Sequence, residues 1–311
     1  MVAGGVLAGG AALAVASRRR RADAPDATPG EWLLPAGERS TLTTDDGAEL
    51  AVYVAGEGPT VVLPHCWMGG PAVWAPVAHR LVRAGRRVVL YDQRGHGSST
   101  VGEHGFTIER LGGDLRAVLE HVDARDAVLA GHSMGGMTVQ ALATHDADVF
   151  VERVQRVVLV STAAGGLSRG RLDARIERVV GDPRLARLLA GAVGLRVVRG
   201  SVGRQAVRDH LELTRDLLVA CEPATRSGWL RAMAGMDLRK GIAAIAVPTT
   251  VLVGTRDTLT PPARAREIVA AVPGAELRVL KGYGHMLPLE APDEVAAAIE
   301  GRSEGDASRV A

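Results

Sequence analysis

The chain has 311 residues, 47% of them hydrophobic and 23% charged, which supplies one large core and excludes a disordered chain. Its formal charge of +2 is too small to mark the whole molecule as a nucleic-acid binder. Cys66 and Cys221 are the only cysteines and lie far apart, so they read as free thiols of a reducing compartment, and no Cys/His pattern calls for a metal.

Taken in order, residues 2–17 are Ala, Gly, Val and Leu up to a final serine, and Arg18, Arg19, Arg20 and Arg21 follow at once. Positive charge after an apolar run, rather than before it, argues against a secretory signal. By the positive-inside rule it places the body of the protein on the cytoplasmic side of a membrane. The expectation is membrane association through residues 2–21, although the run is shorter than the roughly 20 residues a comfortable span needs. A soluble cytoplasmic protein with an apolar tail is the alternative, and Ala14-Val15-Ala16 as a cleavage site keeps export as another. Residues 23–30, with two prolines, read as a linker that completes an N-terminal segment of residues 1–30.

From Arg39 onward short β-branched runs alternate with amphipathic stretches, the pattern of a mostly parallel sheet covered by helices. Strands are predicted at 40–43, 50–55, 60–63, 88–91, 127–130, 157–160, 249–253 and 277–280. The first two, joined across Asp45-Asp46-Gly47, read as an antiparallel pair at the sheet edge. Helices are predicted at 108–121, 134–145, 263–271 and 293–299. The interval 166–246 breaks the alternation: it is helical in pattern, with no good strand, and reads as an insertion into a core of residues 31–165 and 247–311. It carries fifteen basic residues against eight acidic. A solvated helix face is the plain reading of that surplus, and attraction to an anionic membrane or substrate the functional one.

The strand at 127–130 runs into Gly131-His132-Ser133-Met134-Gly135-Gly136 and then a helix. Small residues around a serine at a strand-to-helix turn allow the sharp reversal that lifts a hydroxyl above the strand ends, facing the positive end of the helix. A serine hydroxyl needs a base. His285, in Gly282-Tyr283-Gly284-His285 after the last strand, belongs to a loop that overhangs the same edge. His132 is given a structural role, and His65 and His96 read as satisfied loop residues. A base needs an orienting carboxylate. Asp257, in Gly254-Thr255-Arg256-Asp257, is placed for it, whereas the loop Ser161-Thr162-Ala163-Ala164 offers none.

His65-Cys66-Trp67, Asp92-Gln93-Arg94-Gly95-His96-Gly97-Ser98, Gly-His-Ser-Met-Gly-Gly, Gly-Thr-Arg-Asp and Gly-Tyr-Gly-His follow one another in an order that resembles the α/β-hydrolase family. The resemblance implies an eight-stranded sheet, a helical cap after the sixth strand spanning 166–246, and an oxyanion hole from the backbone N–H groups of Met134 and Trp67. It departs at Cys66, where the family usually has glycine; a Cβ there narrows the conformations open to the oxyanion turn. Cys66 itself reads as a buried thiol rather than a nucleophile. The expected activity is a cofactor-free serine hydrolase acting on a small hydrophobic ester. Trp67, Trp229 and Met233, with Trp74 and Met236, are candidates to line its pocket. A haloperoxidase or perhydrolase, a C–C bond hydrolase and a non-catalytic ligand sensor of the same fold are the alternatives. An epoxide hydrolase or haloalkane dehalogenase would carry aspartate in place of Ser133.

Overall fold

The computed structural model describes residues 32–302, so the expected anchor at 2–21 and linker at 23–30 lie outside the described residues. Among the described residues no helix is long and apolar enough to cross a membrane. The strands are β1 (Gly37–Thr43), β2 (Glu49–Ala55), β3 (Thr60–Val62), β4 (Arg87–Tyr91), β5 (Ala127–His132), β6 (Val154–Val160), β7 (Thr249–Gly254) and β8 (Glu276–Leu280). They form one eight-stranded sheet in the order β1-β2-β4-β3-β5-β6-β7-β8. β2 runs antiparallel to both β1 and β4, and the remaining pairs are parallel. The predicted edge hairpin is therefore present, with β1 starting at Gly37 rather than at residue 40.

The helices are α1 (Ala75–Arg83), α2 (Ile108–His121), α3 (Met134–His145), α4 (Ala147–Arg153), α5 (Asp173–Val180), α6 (Pro183–Leu189), α7 (Ala192–Arg199), α8 (Arg208–Ala220), α9 (Pro223–Gly235), α10 (Pro262–Ala271), α11 (Leu287–Glu290) and α12 (Pro292–Ile299). Side chains alternate across a strand, and the two faces of the sheet feed two separate cores. Leu129, Val157, Leu159, Val251 and Val253 pack with Leu111 and Leu115 of α2, Met137 of α3 and Ile268 of α10. Their neighbours Val128, Ala130, Val158, Val160 and Leu252 pack on the other face with Val77 and Leu81 of α1 and Val295 and Ile299 of α12. Burial on both faces is why β3, β5 and β7 read as unbroken apolar runs. α5 to α9 all fall between β6 and β7, where the sequence turns helical. An antiparallel bridge between Gly165 and Asp237 ties the two ends of this insert together.

One buried ion cluster fixes the loop after β4. Arg94 is fully buried, with Nη1 2.7 Å from Asp46 Oδ2 and Nη2 2.6 Å from Asp114 Oδ1. The guanidinium, helped by the Thr44 hydroxyl, holds the Asp46 carboxyl well below the usual carboxylate range. Removing one partner from such a cluster strands the others in a low dielectric. Arg94→Met is expected to destabilise the fold by about 3–5 kcal/mol, read as a lower urea midpoint with an unchanged slope.

Candidate active site

β5 ends at His132, and the chain reverses at Ser133, whose φ of 53° and ψ of −114° lie where a non-glycine residue is strained. The surroundings hold it there. Ser133 N–H donates to Val160 O at 2.9 Å, and Ser133 O accepts from the N–H groups of Gly136 (2.9 Å) and Met137 (3.2 Å) and from the Thr162 hydroxyl (2.6 Å). The flanking glycines are required by space: a Cβ on Gly131 would lie 2.3 Å from Gly135 O, and one on Gly135 would lie 2.0 Å from Pro64 O.

His285 lies in the loop after β8, with Nδ1 2.9 Å from Asp257 Oδ2. Asp257 Oδ1 accepts from the N–H groups of Leu259 (2.9 Å) and Thr260 (2.8 Å), and Oδ2 also accepts from the Thr260 hydroxyl at 2.9 Å. Burial alone would raise the Asp257 carboxyl, but the charge and hydrogen bond of His285 and the Thr260 donors outweigh it and hold the group below its ordinary value. An ionised Asp257 accepts from Nδ1–H, which leaves the Nε2 lone pair available to take a proton. Ser133 Oγ has no hydrogen-bond partner among the described residues. The serine–histidine link is thus open, as is common before substrate binds.

The base loop has a second carboxylate that sequence reasoning missed. Glu290 Oε2 accepts from Gly203 N (2.6 Å) and Gly284 N (3.1 Å), and Oε1 from Met286 N (3.0 Å). It therefore clamps both neighbours of His285 and one residue of the helical insert. His285 N–H in turn donates to Ser201 O at 2.7 Å, a second tie to the insert. His132 supports the same loop: its Nε2 lies 2.8 Å from His285 O, and burial pushes its pKa down to about 3, so the ring is neutral and donates from Nε2. No local pattern marks Glu290 or Thr260; each looks like an ordinary helix or turn residue.

The loop that carries Trp67 is pinned by two neutral imidazoles. His65 Nε2 accepts from Gln93 N at 2.9 Å while Nδ1 donates to Cys66 O at 2.7 Å. His96 Nε2 accepts from Met68 N at 3.2 Å, and burial lowers its pKa to about 4. The left-handed residue of this loop is Met68, at φ 54°, and not Cys66. The Cβ at Cys66 is therefore accommodated without strain. Its thiol is buried and pushed up to about 12, which keeps it protonated. The N–H groups of Trp67 and Met134 have no acceptor among the described residues, so both are available to a developing oxyanion.

Ser133 and His285 line the same cavity of about 510 Å³. Trp67, Met137, Met233 and aliphatic residues of the insert, including Ile176, Leu185, Leu189 and Leu217, form its walls. Of the candidate pocket residues, Trp67 and Met233 line this cavity and Trp229 does not. Its indole N–H needs an acceptor and finds Arg94 O at 3.0 Å, which turns the ring inward against Phe106, while Leu230 faces the cavity instead. Trp74 and Met236 are also off the cavity; Trp74 donates to Pro64 O at 3.1 Å. Arg226, fully buried, donates to the carbonyls of Val180, Asp182 and Leu218, holding three segments of the insert together.

Residues 60–292 match the family described as serine aminopeptidase, S33. The chain is 29% identical over 218 residues to 3-oxoadipate enol-lactonase 2 of Acinetobacter baylyi, covering 68% of this chain and 77% of that one. It is 28% identical over 273 residues to a non-heme haloperoxidase of Rhodococcus erythropolis, covering 78% and 92%. Among solved structures, a hydrolase from Pseudomonas aeruginosa PA01 superposes with a TM-score of 0.72 at 30% identity, covering 86% of this chain and 99% of that one.

Proposed function

The chain belongs to the serine aminopeptidase S33 family of α/β-hydrolase enzymes, and on that footing we propose that it cleaves a small hydrophobic ester through an acyl-enzyme, with Ser133 as nucleophile, His285 as base and Asp257 orienting the base. The observation that carries this reading is a strained serine at the amino end of α3 sharing one apolar cavity with a histidine whose Nδ1 is 2.9 Å from a buried carboxylate.

His285 Nε2 takes the Ser133 proton as Oγ attacks the ester carbonyl, and the Met134 and Trp67 N–H groups hold the oxyanion. Each such donor contributes about 10²- to 10³-fold in rate. The protonated ring then gives its proton to the departing alkoxide. Water, deprotonated by the same ring, attacks the acyl-enzyme and releases the acid and free Ser133. The insert of residues 166–246 acts as the cap that closes the cavity from solvent, and its walls select an apolar acyl or alkyl group. A peptide is a poorer fit. The one carboxylate among the cavity residues is Asp173, whose oxygens already accept from the Ser168 hydroxyl and Arg169 N–H and so are poorly placed to receive an α-ammonium group.

The similarity to the non-heme haloperoxidase, which covers 92% of that protein, supports a second reading on the same triad. Hydrogen peroxide in place of water attacks the acyl-enzyme, giving a peracid and free Ser133. Both readings are tested with 4-nitrophenyl esters of increasing acyl length, aminoacyl anilides, and carboxylic acid plus hydrogen peroxide. Burial of each methylene is worth about 0.8 kcal/mol, so kcat/KM should rise about fourfold per carbon until the cavity is full. Flat activity across chain lengths, or turnover of the anilides alone, overturns the ester reading; peracid formation outpacing hydrolysis selects the second.

A further inference from the structure

The outward face of the cap has a surface that extends well beyond the cavity. Three successive helices repeat one pattern. Leu172, at the cap of α5, is followed by Arg175 and Val179 at steps of three and four, and Arg184, Arg187 and Leu188 on α6 and Val193, Arg196 and Val197 on α7 stand at positions i, i+3 and i+4, so each trio shares a helix face. All nine side chains are exposed, and Leu172, Val179, Leu188, Val193 and Val197 are 54%, 53%, 60%, 43% and 54% accessible. These five are half of the large hydrophobic residues exposed among the described residues.

The charge is equally one-sided. Residues 169–204 contain nine arginines and three carboxylates. Asp173 is held by Ser168 and Arg169 N, Asp182 caps α6 through Arg184 N, and Glu177 pairs with Arg231 of α9. Arg171, Arg175, Arg178, Arg184, Arg187 and Arg196 have no ion-pair partner among the described residues. Val179 and Val197 also line the cavity, as does the 48% accessible Leu259 on the body opposite. Residues that are both half-exposed and cavity-lining mark its mouth, so the patch reaches the entrance at Val179 and Val197.

We infer that this face docks on an anionic lipid bilayer, with the aliphatic side chains in the headgroup layer, the arginines on lipid phosphates and the cavity mouth turned to the membrane. A bilayer satisfies both halves of the pattern at once. A second copy of the chain would set like charge against like, and a nucleic acid would leave the five aliphatic side chains without a partner. This surface does not depend on which reaction the cavity performs.

The test uses the full chain and flotation with vesicles of phosphatidylglycerol and phosphatidylcholine, against phosphatidylcholine alone. Binding should require the anionic lipid and weaken with salt. A polybasic contact contributes roughly fivefold per arginine, so Arg175→Glu/Arg187→Glu/Arg196→Glu should bind at least tenfold more weakly, with an unchanged thermal midpoint showing that it is folded. Cys66 and Cys221 are buried, so a polarity-sensitive dye goes selectively to Leu188→Cys, and it should shift to the blue on anionic vesicles. The same dye at Val151→Cys, on the helix that leads into the opposite end of β6, should not. Unchanged vesicle binding by the triple variant would assign binding to residues 2–21 and overturn the inference. So would a silent dye at position 188, equal binding to neutral vesicles, or a dimer lost in the triple variant without vesicle binding.

Discussion

Ser133→Ala is expected to lower kcat by about 10⁵- to 10⁶-fold, the loss seen when the nucleophile of a cooperating triad is removed, while KM moves little. Alanine keeps the Cβ and so inherits the same strain at φ 53°, which means that the loss cannot be ascribed to relief or collapse of the turn. The backbone bonds that hold the turn use Ser133 N and O, not Oγ. The variant should therefore melt close to the parent and fail to react with a fluorophosphonate probe. Ser201 also lines the cavity, and Ser201→Ala should label fully. Cys66 is no substitute nucleophile, since its thiol is pushed up to about 12. Labelling that survives in Ser133→Ala and disappears in Ser201→Ala would remove Ser133 from the chemistry.

What was legible in the sequence was local. A buried parallel strand must be apolar on both faces, so β5 and β7 announce themselves as unbroken runs. The turn at Ser133 needs small neighbours at fixed offsets, and that requirement is written in six consecutive residues. Contacts between distant segments were not legible. Arg94 meets Asp46 and Asp114 across 48 and 20 residues, and nothing local distinguishes it from the other arginines. The apolar residues of α9 do not favour one face strongly, so the sequence does not single out the residue that meets the cavity. Which of Trp229 and Leu230 meets the cavity is decided by the Arg94 carbonyl, on another loop. Glu290 reads as a solvated charge at a helix end, yet its carboxylate is buried against three backbone N–H groups. Cys66 was expected to constrain the oxyanion turn, but the strained residue is Met68, two places on.

Two buried carboxylates flank His285, and they should separate cleanly. Asp257 touches the imidazole itself, with Oδ2 2.9 Å from Nδ1. In Asp257→Asn the amide can still accept from Leu259 N and Thr260 N through its oxygen, which turns its NH₂ toward Nδ1. An NH₂ there can only donate, so the ring must carry its proton on Nε2, where it can no longer accept from Ser133. The expected loss is about 10⁴-fold in kcat, with geometry preserved. Glu290 touches only the backbone N–H groups of Gly203, Gly284 and Met286. Glu290→Gln keeps one acceptor oxygen and does not reach the ring, so it should cost about 1.5–3 kcal/mol of stability, the usual worth of a hydrogen bond to a charged group, while kcat falls by no more than about tenfold. Steady-state kinetics on both variants with one ester decides the matter. If Glu290→Gln lost 10³-fold or more while Asp257→Asn stayed within tenfold of the parent, the orienting carboxylate would be Glu290, and the order nucleophile, acid, base along the chain would no longer describe this protein.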